Sequence, residues 1–571
     1  MTQIIELEIK RFRGIKSYSG KFARELVCLV GRGDSGKTTL LEAIKCVFSP
    51  VWNHSFYDVD FYQLDTSEPI EICASVINIP QILMSESKYG LFLRAYDPEK
   101  MVITDSVIEN EELVPCLTIQ LSVAQNLEPK WKVICGRGKN EKEISAADRS
   151  KFNCFMVSDY IDSHFSWSKG NPLNTIFSNT DNADIKSQTV LSALREAKAT
   201  IDKDDFSHYL EATDKVKKQA ASFGLNISDT QTTIDFKDIN IKEGKVSLHL
   251  GNIPFRLLGK GSRRLASISI QTSIAREEGG IALIDEIEQG LEPDRVQQIA
   301  RTLKGANSGQ VILTTHSRDV IAELNASDLM IVLSNQDTGD VKSEYLGIDN
   351  HRLQGVIRAC PEAFFAKRIL VCEGSTEVGI CRALDSFRRK KSKPPMSYGG
   401  VAYINGTGSS YIDRALNINE LGIPVAVFCD SDVDDKLKTP KSEVRSSGVE
   451  IFDCESGNSI EFEFFLNAPW EAVKEAVEYA ILIHSKSEES LKDSLKSKYE
   501  NGSKFPENWR ATDNVAIRQA IAKAASVKTK EWFKRIDHGE ALGNIIFQYF
   551  NEIELTHLGI MLSDIEAWID G

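Results

Sequence analysis

Short apolar runs, each closed by polar or glycine-rich residues, recur along this chain. Leu26 to Val30, Ile281 to Ile284, Val311 to Thr315, Ile369 to Cys372 and Pro424 to Cys429 have this form. It suits strands buried on both faces of a parallel sheet. Other runs alternate: Ile4 to Ile9 reads as a first strand, and Ile70 to Val76 and Leu117 to Val123 read as further ones. Between Ser187 and Ala220 the period lengthens. Val190, Leu194, Ala197 and Ile201, then Leu210, Val216 and Ala220, fall on one helical face. Ile234 with Phe236, Ile239 with Ile241 and Val246 with Leu248 return the pattern to strands. A new α/β unit begins near Phe364, and from Trp470 to Gly571 the pattern is mainly helical, interrupted near Asn501 to Pro506.

Length and composition narrow the class. With 571 residues the chain can bury two or three substantial cores, and 42% hydrophobic with 26% charged residues excludes wholesale disorder. No apolar run approaches a membrane span, and the N-terminus lacks a charged-then-apolar leader. The eleven cysteines never form C-x-x-C, so buried free thiols in a cytoplasmic protein are expected and zinc is not. A net charge of −14 argues against non-specific coating of nucleic acid. It leaves room for a local basic path, for which Arg388 to Lys393 is the densest candidate; a solvated loop is the alternative.

The chemistry sits where the apolar runs end. Leu26 to Val30 leads into Gly31-Arg32-Gly33-Asp34-Ser35-Gly36-Lys37-Thr38 and then a helix from Thr39 to Val47, the G-x-x-x-x-G-K-T pattern in its strand–loop–helix setting. Its glycines let backbone N–H groups wrap phosphate, Lys37 reaches the β/γ-phosphates, and Thr38 offers a hydroxyl to Mg²⁺. Ile281 to Ile284 ends in Asp285 and Glu286, suited to holding a phosphate-bound Mg²⁺ and to orienting water. Gly259, Lys260, Gly261 and Ser262 open a helix able to receive phosphate, and Val311 to Thr315 delivers His316 and Ser317 to the same sheet edge.

The order of Gly31–Thr38, Gly259–Arg264, Ile281–Glu286, the Glu288–Pro293 turn and His316 resembles the ABC-class ATPases of DNA repair and chromosome organisation. Phe12-Arg13-Gly14 before the phosphate loop looks like the same group, and the resemblance implies that Arg13 approaches the nucleotide. The signature departs from L-S-G-G-Q: Gly259 stands for the serine, Lys260 for a glycine and Ser262 for the glutamine. No heptad persists, so the long coiled coil of chromosome-organising relatives is absent.

Further along, Glu373, Glu377, Asp430, Asp432 and Glu461 lie at or just beyond the ends of three strand-like elements. Oxygen-only ligands in this number suit Mg²⁺ or Mn²⁺, and two such ions can serve phosphodiester cleavage. Asp430 and Asp432, two apart, would share one side of an extended backbone. E-G-S-T-E followed by D-S-D resembles the Toprim domain of topoisomerases, primases and certain nucleases. The whole order is similar to the OLD (overcoming lysogenisation defect) family. That resemblance implies an α/β fold with an ABC-type ATPase domain split by a helical dimerisation insert, then a Toprim domain with a helical C-terminal region. The expected boundaries are 1–165 and 229–350 for the ATPase halves, 166–228 for the insert and 351–571 for Toprim. By the same resemblance Glu373, Glu377, Asp430 and Asp432 bind metal (Mg²⁺, with Mn²⁺ or Ca²⁺ as alternatives), and Ser459 and Glu461 follow them. A late catalytic lysine falls on Lys534 or Lys530.

The implied function is an ATP-binding, metal-dependent DNA endonuclease in antiphage defence, at least a homodimer. Its relatives act alone, beside a helicase-like partner, or with a retron reverse transcriptase and its RNA–DNA. The alternative is an ATPase switch whose Toprim unit holds nucleic acid or a partner without cutting. A primase-like polymerase is a third reading.

Overall fold

The computed structural model describes residues 2–571 except 23, 106–111, 138–140, 167–170, 179–195, 197–246, 305–308, 336, 348–350, 433–436, 456, 484–487, 501–503 and 528–530. The helical stripe from Val190 to Ala220 and the alternating pairs from Ile234 to Val246 therefore lie outside the described residues, as does Lys530. The chain forms two compact units. One comprises Met1–Leu29, Gly36–Thr315 and Leu333–Ser343; the other comprises Val30–Ser35, His316–Val332 and Glu344–Gly571.

In the first unit the alternating runs become antiparallel strands. β1 (Gln3–Phe12) pairs with β2 (Ile15–Lys21) and with β4 (Ile70–Ile77), β4 with β5 (Val114–Val123), and β5 with β6 (Pro129–Ile134). The continuous apolar runs become neighbours in a parallel set. β7 (Cys154–Val157), β8 (Ile281–Ile284), β9 (Gln310–Thr314) and β3 (Leu26–Val30) lie side by side, with Met156 opposite Leu283, Leu283 opposite Ile312 and Leu313 opposite Cys28. Every residue of β3, β8 and β9 is buried, which explains why these runs carry no alternation. Parallel order brings the C-terminal ends of β3, β8 and β9 to one edge. Helices α1 (Lys37–Val47), α2 (Lys260–Glu277) and α3 (Pro293–Lys304) complete the unit.

Helix α2 covers a buried polar group. His164 is 7% exposed, its Nδ1 lies 2.6 Å from Ser267 Oγ, and Gln271 Nε2 lies 3.3 Å from the same nitrogen. Burial pushes its pKa down to about 4, helped by the charges of Lys45 and Arg264. Between pH 6.5 and 4 the unfolded chain therefore binds a proton that the fold refuses, and stability is lost as pH falls. The loss amounts to roughly 3 kcal/mol by pH 4. In urea titrations at pH 7 and 4.5, His164→Asn is expected to lose less stability across this interval than the parent. Equal losses in the two proteins would remove His164 as the cause.

The second unit contains a four-stranded, all-parallel sheet. β10 (Arg368–Cys372) lies between β11 (Val401–Asn405) and β12 (Val425–Cys429), and β13 (Glu450–Asp453) flanks β12. Around it pack α4 (Ser375–Lys390), α5 (Tyr411–Asn419), α6 (Lys441–Ser446), α7 (Ile460–Asn467), α8 (Trp470–Ile483), α9 (Val515–Ala525), α10 (Ile536–Gln548) and α11 (His557–Asp570). Phe428, Phe464, Phe465, Trp532 and Phe533 belong to its core. Helices α4 and α10 meet through glycine. A Cβ on Gly379 would lie 2.4 Å from the Glu540 nitrogen, and one on Gly539 would lie 2.6 Å from the Thr376 carbonyl oxygen.

The basic run at the end of α4 differs from both sequence expectations. Arg388 is buried, pairs with Glu566 at 3.3 Å and with Asp570, and so fastens α11. Lys393 bonds the same two acids at 3.0 and 3.3 Å, Arg389 pairs with Asp385, and Lys391 Nζ sits 4.3 Å above the Phe387 ring. Arg388 and Lys393 are engaged by acids 170 or more positions downstream in the chain, whereas Arg389 and Lys391 are engaged within α4 and its end. All eleven cysteines are free thiols, as composition predicts. Among the described residues no helix is long and apolar enough to cross a membrane.

Candidate functional site

Two sites emerge, one beyond the ends of β3 and β8 and one beyond the ends of β10 and β12. Beyond β3 the backbone enters the left-handed region at Asp34 (φ +62°), with Gly31 and Gly36 at φ +147° and +94°. A Cβ on Gly31 would lie 2.5 Å from the Val332 carbonyl oxygen, so glycine is required there twice over. Nothing lies within 4 Å of a Cβ built on Gly33. Ser35 and Lys37 are buried, Thr39 is half-buried and Thr38 is exposed. In the first turn of α1, Thr38 Oγ1 donates to Asp285 Oδ1 at 2.9 Å, and Thr314 Oγ1 donates to the same oxygen at 2.7 Å. Residues 247 positions apart thus present a hydroxyl and a carboxylate at one point, a donor pair that could hold a phosphate-bound Mg²⁺. The donor chemistry fits that ion.

Glu286 is exposed and holds φ +46°, with its N–H bonded to Thr314 Oγ1 at 2.7 Å. Gly259 caps α2; Lys260 and Ser262 are exposed, and a Cβ on Gly261 would lie 2.8 Å from the Gly290 carbonyl oxygen. Arg13 bonds Asp60 Oδ1 at 2.9 Å, with its guanidinium 5.0 Å above the Phe12 ring. His316 lies two residues beyond the end of β9 and is exposed, its ring 6.0 Å from that of Phe365.

In the second unit Glu373 follows β10 and Asp430 follows β12. The Asp430 N–H donates to Glu373 Oε2 at 3.0 Å, which ties the two strand tips together. Glu377 Oε2 accepts the Gly374 N–H at 2.7 Å at the start of α4. Asp430 Oδ1 accepts the Ile460 N–H at 2.9 Å, and its Oδ2 lies 3.7 Å from Lys534 Nζ. Glu461, in the first turn of α7, is buried, and Ser459 caps that helix by accepting the Phe462 N–H at 3.2 Å.

Burial pushes Asp430 well above the carboxylate range, and the charges of Glu377 and Glu461 add to it. Burial likewise lifts Glu377 to about 7, opposed by Lys534 and reinforced by Glu373 and Glu461. Glu373 is raised by burial, opposed by the Asp430 amide and Lys534. Burial works against the Lys534 charge, yet Glu461, Asp430, Glu377 and Glu373 together raise its pKa. The cluster is thus short of positive charge, and its donors are all hard oxygens, so a divalent cation fits it chemically. Glu373, Glu377 and Asp430 each also accept a backbone N–H. Among the described residues no three His, Cys, Asp or Glu side chains converge as a metal-holding group.

Asp430 and Asp432 do not share one environment as an extended backbone would require. The chain bends at Ser431, whose Oγ donates to the Cys454 carbonyl at 2.8 Å; Asp430 is 3% exposed while Asp432 is exposed. Lys441, a residue no motif marked, braces that bend. Its Nζ reaches the Asp430 carbonyl at 2.8 Å and Ser431 Oγ at 3.1 Å, and lies 3.4 Å from Asp453 Oδ2. Arg264, which bonds the Asp285 and Glu286 carbonyls, was equally unmarked beyond its place in the signature.

The family described as "AAA ATPase domain" matches residues 3–321. That described as "Overcoming lysogenization defect protein-like, TOPRIM domain" matches residues 364–432. No match was found among curated protein sequences. Among solved structures, the chain is similar to an Smc head domain with an extended coiled coil bound to the C-terminal domain of ScpA, derived from Pyrococcus furiosus. The identity is 15%, over 61% of this chain and 97% of that one, with a TM-score of 0.36. An SMC head domain from Thermotoga maritima matches at 12% identity over 61% and 100%, with a TM-score of 0.28.

Proposed function

The chain belongs to the AAA ATPase domain family and has the ATPase-then-Toprim architecture of the overcoming-lysogenisation-defect proteins, and on that premise we propose that it is an ATP-controlled, metal-dependent DNA endonuclease serving antiphage defence. The observation that supports this most is the meeting of Glu373, Glu377, Asp430 and Glu461 with Lys534 around two strand tips. Glu373, Glu377, Asp430, Asp432 and Glu461 would hold Mg²⁺ or Mn²⁺, with Ser459 beside them. Bound there, such ions act as Lewis acids on the attacking and leaving oxygens of a phosphodiester. Lys534 keeps a positive charge beside Asp430, suited to a phosphate oxygen that gains charge.

ATP would be held by Gly31 to Thr39, with Thr38 and Asp285 on its Mg²⁺ and Glu286 orienting water. Arg13, His316 and a second copy's Gly259, Gly261 and Ser262 complete that reading, which makes the protein at least a dimer. Incubation of supercoiled and single-stranded DNA with Mg²⁺, Mn²⁺ or EDTA tests the chemistry. Cleavage is expected with metal and not with EDTA. Light scattering with and without ATP tests the assembly, and monomer under both conditions would refute the dimer.

One observation favours the second reading, an ATPase switch whose Toprim unit binds without cutting: Glu373, Glu377 and Asp430 each accept a backbone N–H. Metal-dependent DNA retention without any nicking would support it.

A further inference from the structure

Arg264 sits in the second turn of α2 and is only 3% exposed. A buried guanidinium is costly unless its donors are used. Here Nη2 donates to the carbonyls of both Asp285 and Glu286, the latter at 2.9 Å, while Nη1 donates to the Ser158 carbonyl at 2.9 Å and to Gln289 Oε1 at 3.1 Å. Its Nε is buried and has no hydrogen-bond partner. The group has therefore been placed for what its two ends hold, at the expense of its third donor. Burial lowers its pKa, opposed by the charges of Asp285, Asp159, Glu286 and Glu288.

What the fork holds is strained. Glu286 occupies φ +46°, a conformation costing a non-glycine residue on the order of 1 kcal/mol or more. Its N–H is held by Thr314 Oγ1 at 2.7 Å and its carbonyl by Arg264. Thr314 in turn donates to Asp285 Oδ1, which also accepts from Thr38. A continuous hydrogen-bonded route thus runs from the signature helix through the Glu286 backbone to the phosphate-loop helix.

We propose that Arg264 is a positioning residue for ATP hydrolysis: it holds Glu286 in its left-handed backbone conformation and ties that conformation to helix α2. This rests on the reading of Glu286 as the residue that orients water. Lysine keeps the charge but cannot reach four acceptors from one planar fork. Glu286 then relaxes, and a displacement of about 1 Å at such a group costs about 10²-fold in rate. Arg264 bonds the Asp285 carbonyl and not its carboxylate, which Thr38 and Thr314 hold, so KM is expected to stay within about twofold.

The experiment measures ATP turnover, ATP affinity and thermal melting for the full-length parent, Arg264→Lys, Glu286→Gln and the double variant. Single-turnover hydrolysis captures the slow ones. The expected result is a fall in kcat of about 10²-fold in Arg264→Lys with affinity retained, and no further fall when Arg264→Lys is added to Glu286→Gln. A parent that does not hydrolyse ATP would defeat the functional reading itself. With an active parent, parental kcat in Arg264→Lys, loss of affinity alongside turnover, or additive losses in the double variant would each overturn the proposal. Should Arg264→Lys fail to fold, Gln289→Met removes one acceptor of the fork. A several-fold lower kcat at unchanged KM then supports the proposal, and an unchanged kcat overturns it.

Discussion

Asp430→Ala and Glu373→Ala are expected to lose DNA cleavage by roughly 10²- to 10³-fold or more while ATP turnover persists. Removing one carboxylate from a site that compensates developing charge forfeits several kcal/mol of transition-state stabilisation. Asp432→Ala is expected to behave likewise, although it is exposed and Asp430 is not. Folding must be separated from chemistry. Asp430 Oδ1 accepts the Ile460 N–H, so alanine also costs a helix start worth about 1 kcal/mol. Asp430→Asn keeps an acceptor while removing a charge that Glu377 and Glu461 repel. Its thermal stability without metal should match or exceed the parent's while Mg²⁺-supported cleavage is lost, and Mn²⁺ should restore part of it. Cleavage and ATP turnover are measured on the same preparations. Parental cutting by the carboxylate variants would place the nuclease elsewhere and leave the switch reading standing.

At the other site, Lys37→Ala is expected to abolish nucleotide binding, and Glu286→Gln to bind ATP normally yet lose turnover by two orders of magnitude or more. Lys37 is buried, so its charge is weakly screened, and alanine would leave no cation to face the β/γ-phosphates. On the reading that Glu286 acts only on the attacking water, its amide should spare ground-state affinity. Isothermal titration with a non-hydrolysable analogue beside a phosphate-release assay separates the two effects. Full hydrolysis by Glu286→Gln would sink this assignment. The same variants tested for cleavage reveal whether ATP binding or ATP turnover governs the nuclease.

The motifs were legible because each is local. A buried strand, a glycine turn and a helix start are contiguous, so Gly31 to Thr38 and Ile281 to Glu286 announce their geometry through spacing alone, as do Ile369 to Glu377 and Val425 to Asp430. Parallel pairing then guarantees that such strand ends share an edge. The basic run from Arg388 to Lys393 misled because its partners, Glu566 and Asp570, carry no local signal of pairing. Asp430 and Asp432 misled because a side-chain bond from Ser431, supported by Lys441, bends the backbone that a spacing rule takes as extended.

By itself, then, the sequence determined the buried strands β3, β8, β9, β10 and β12, the phosphate loop and the family of acidic residues at the strand tips, but not Cys154–Val157 or Val401–Asn405, since hydrophobic period and turn chemistry act over a few residues. Only the tertiary structure decided which distant groups serve them. Lys534 reaches Asp430 across 104 positions because Gly379 and Gly539 let α4 and α10 approach closer than any side chain would permit. Arg264 reaches Glu286 because α2 lies against β8. Helix packing fixes such contacts through shape, which no spacing along the chain encodes.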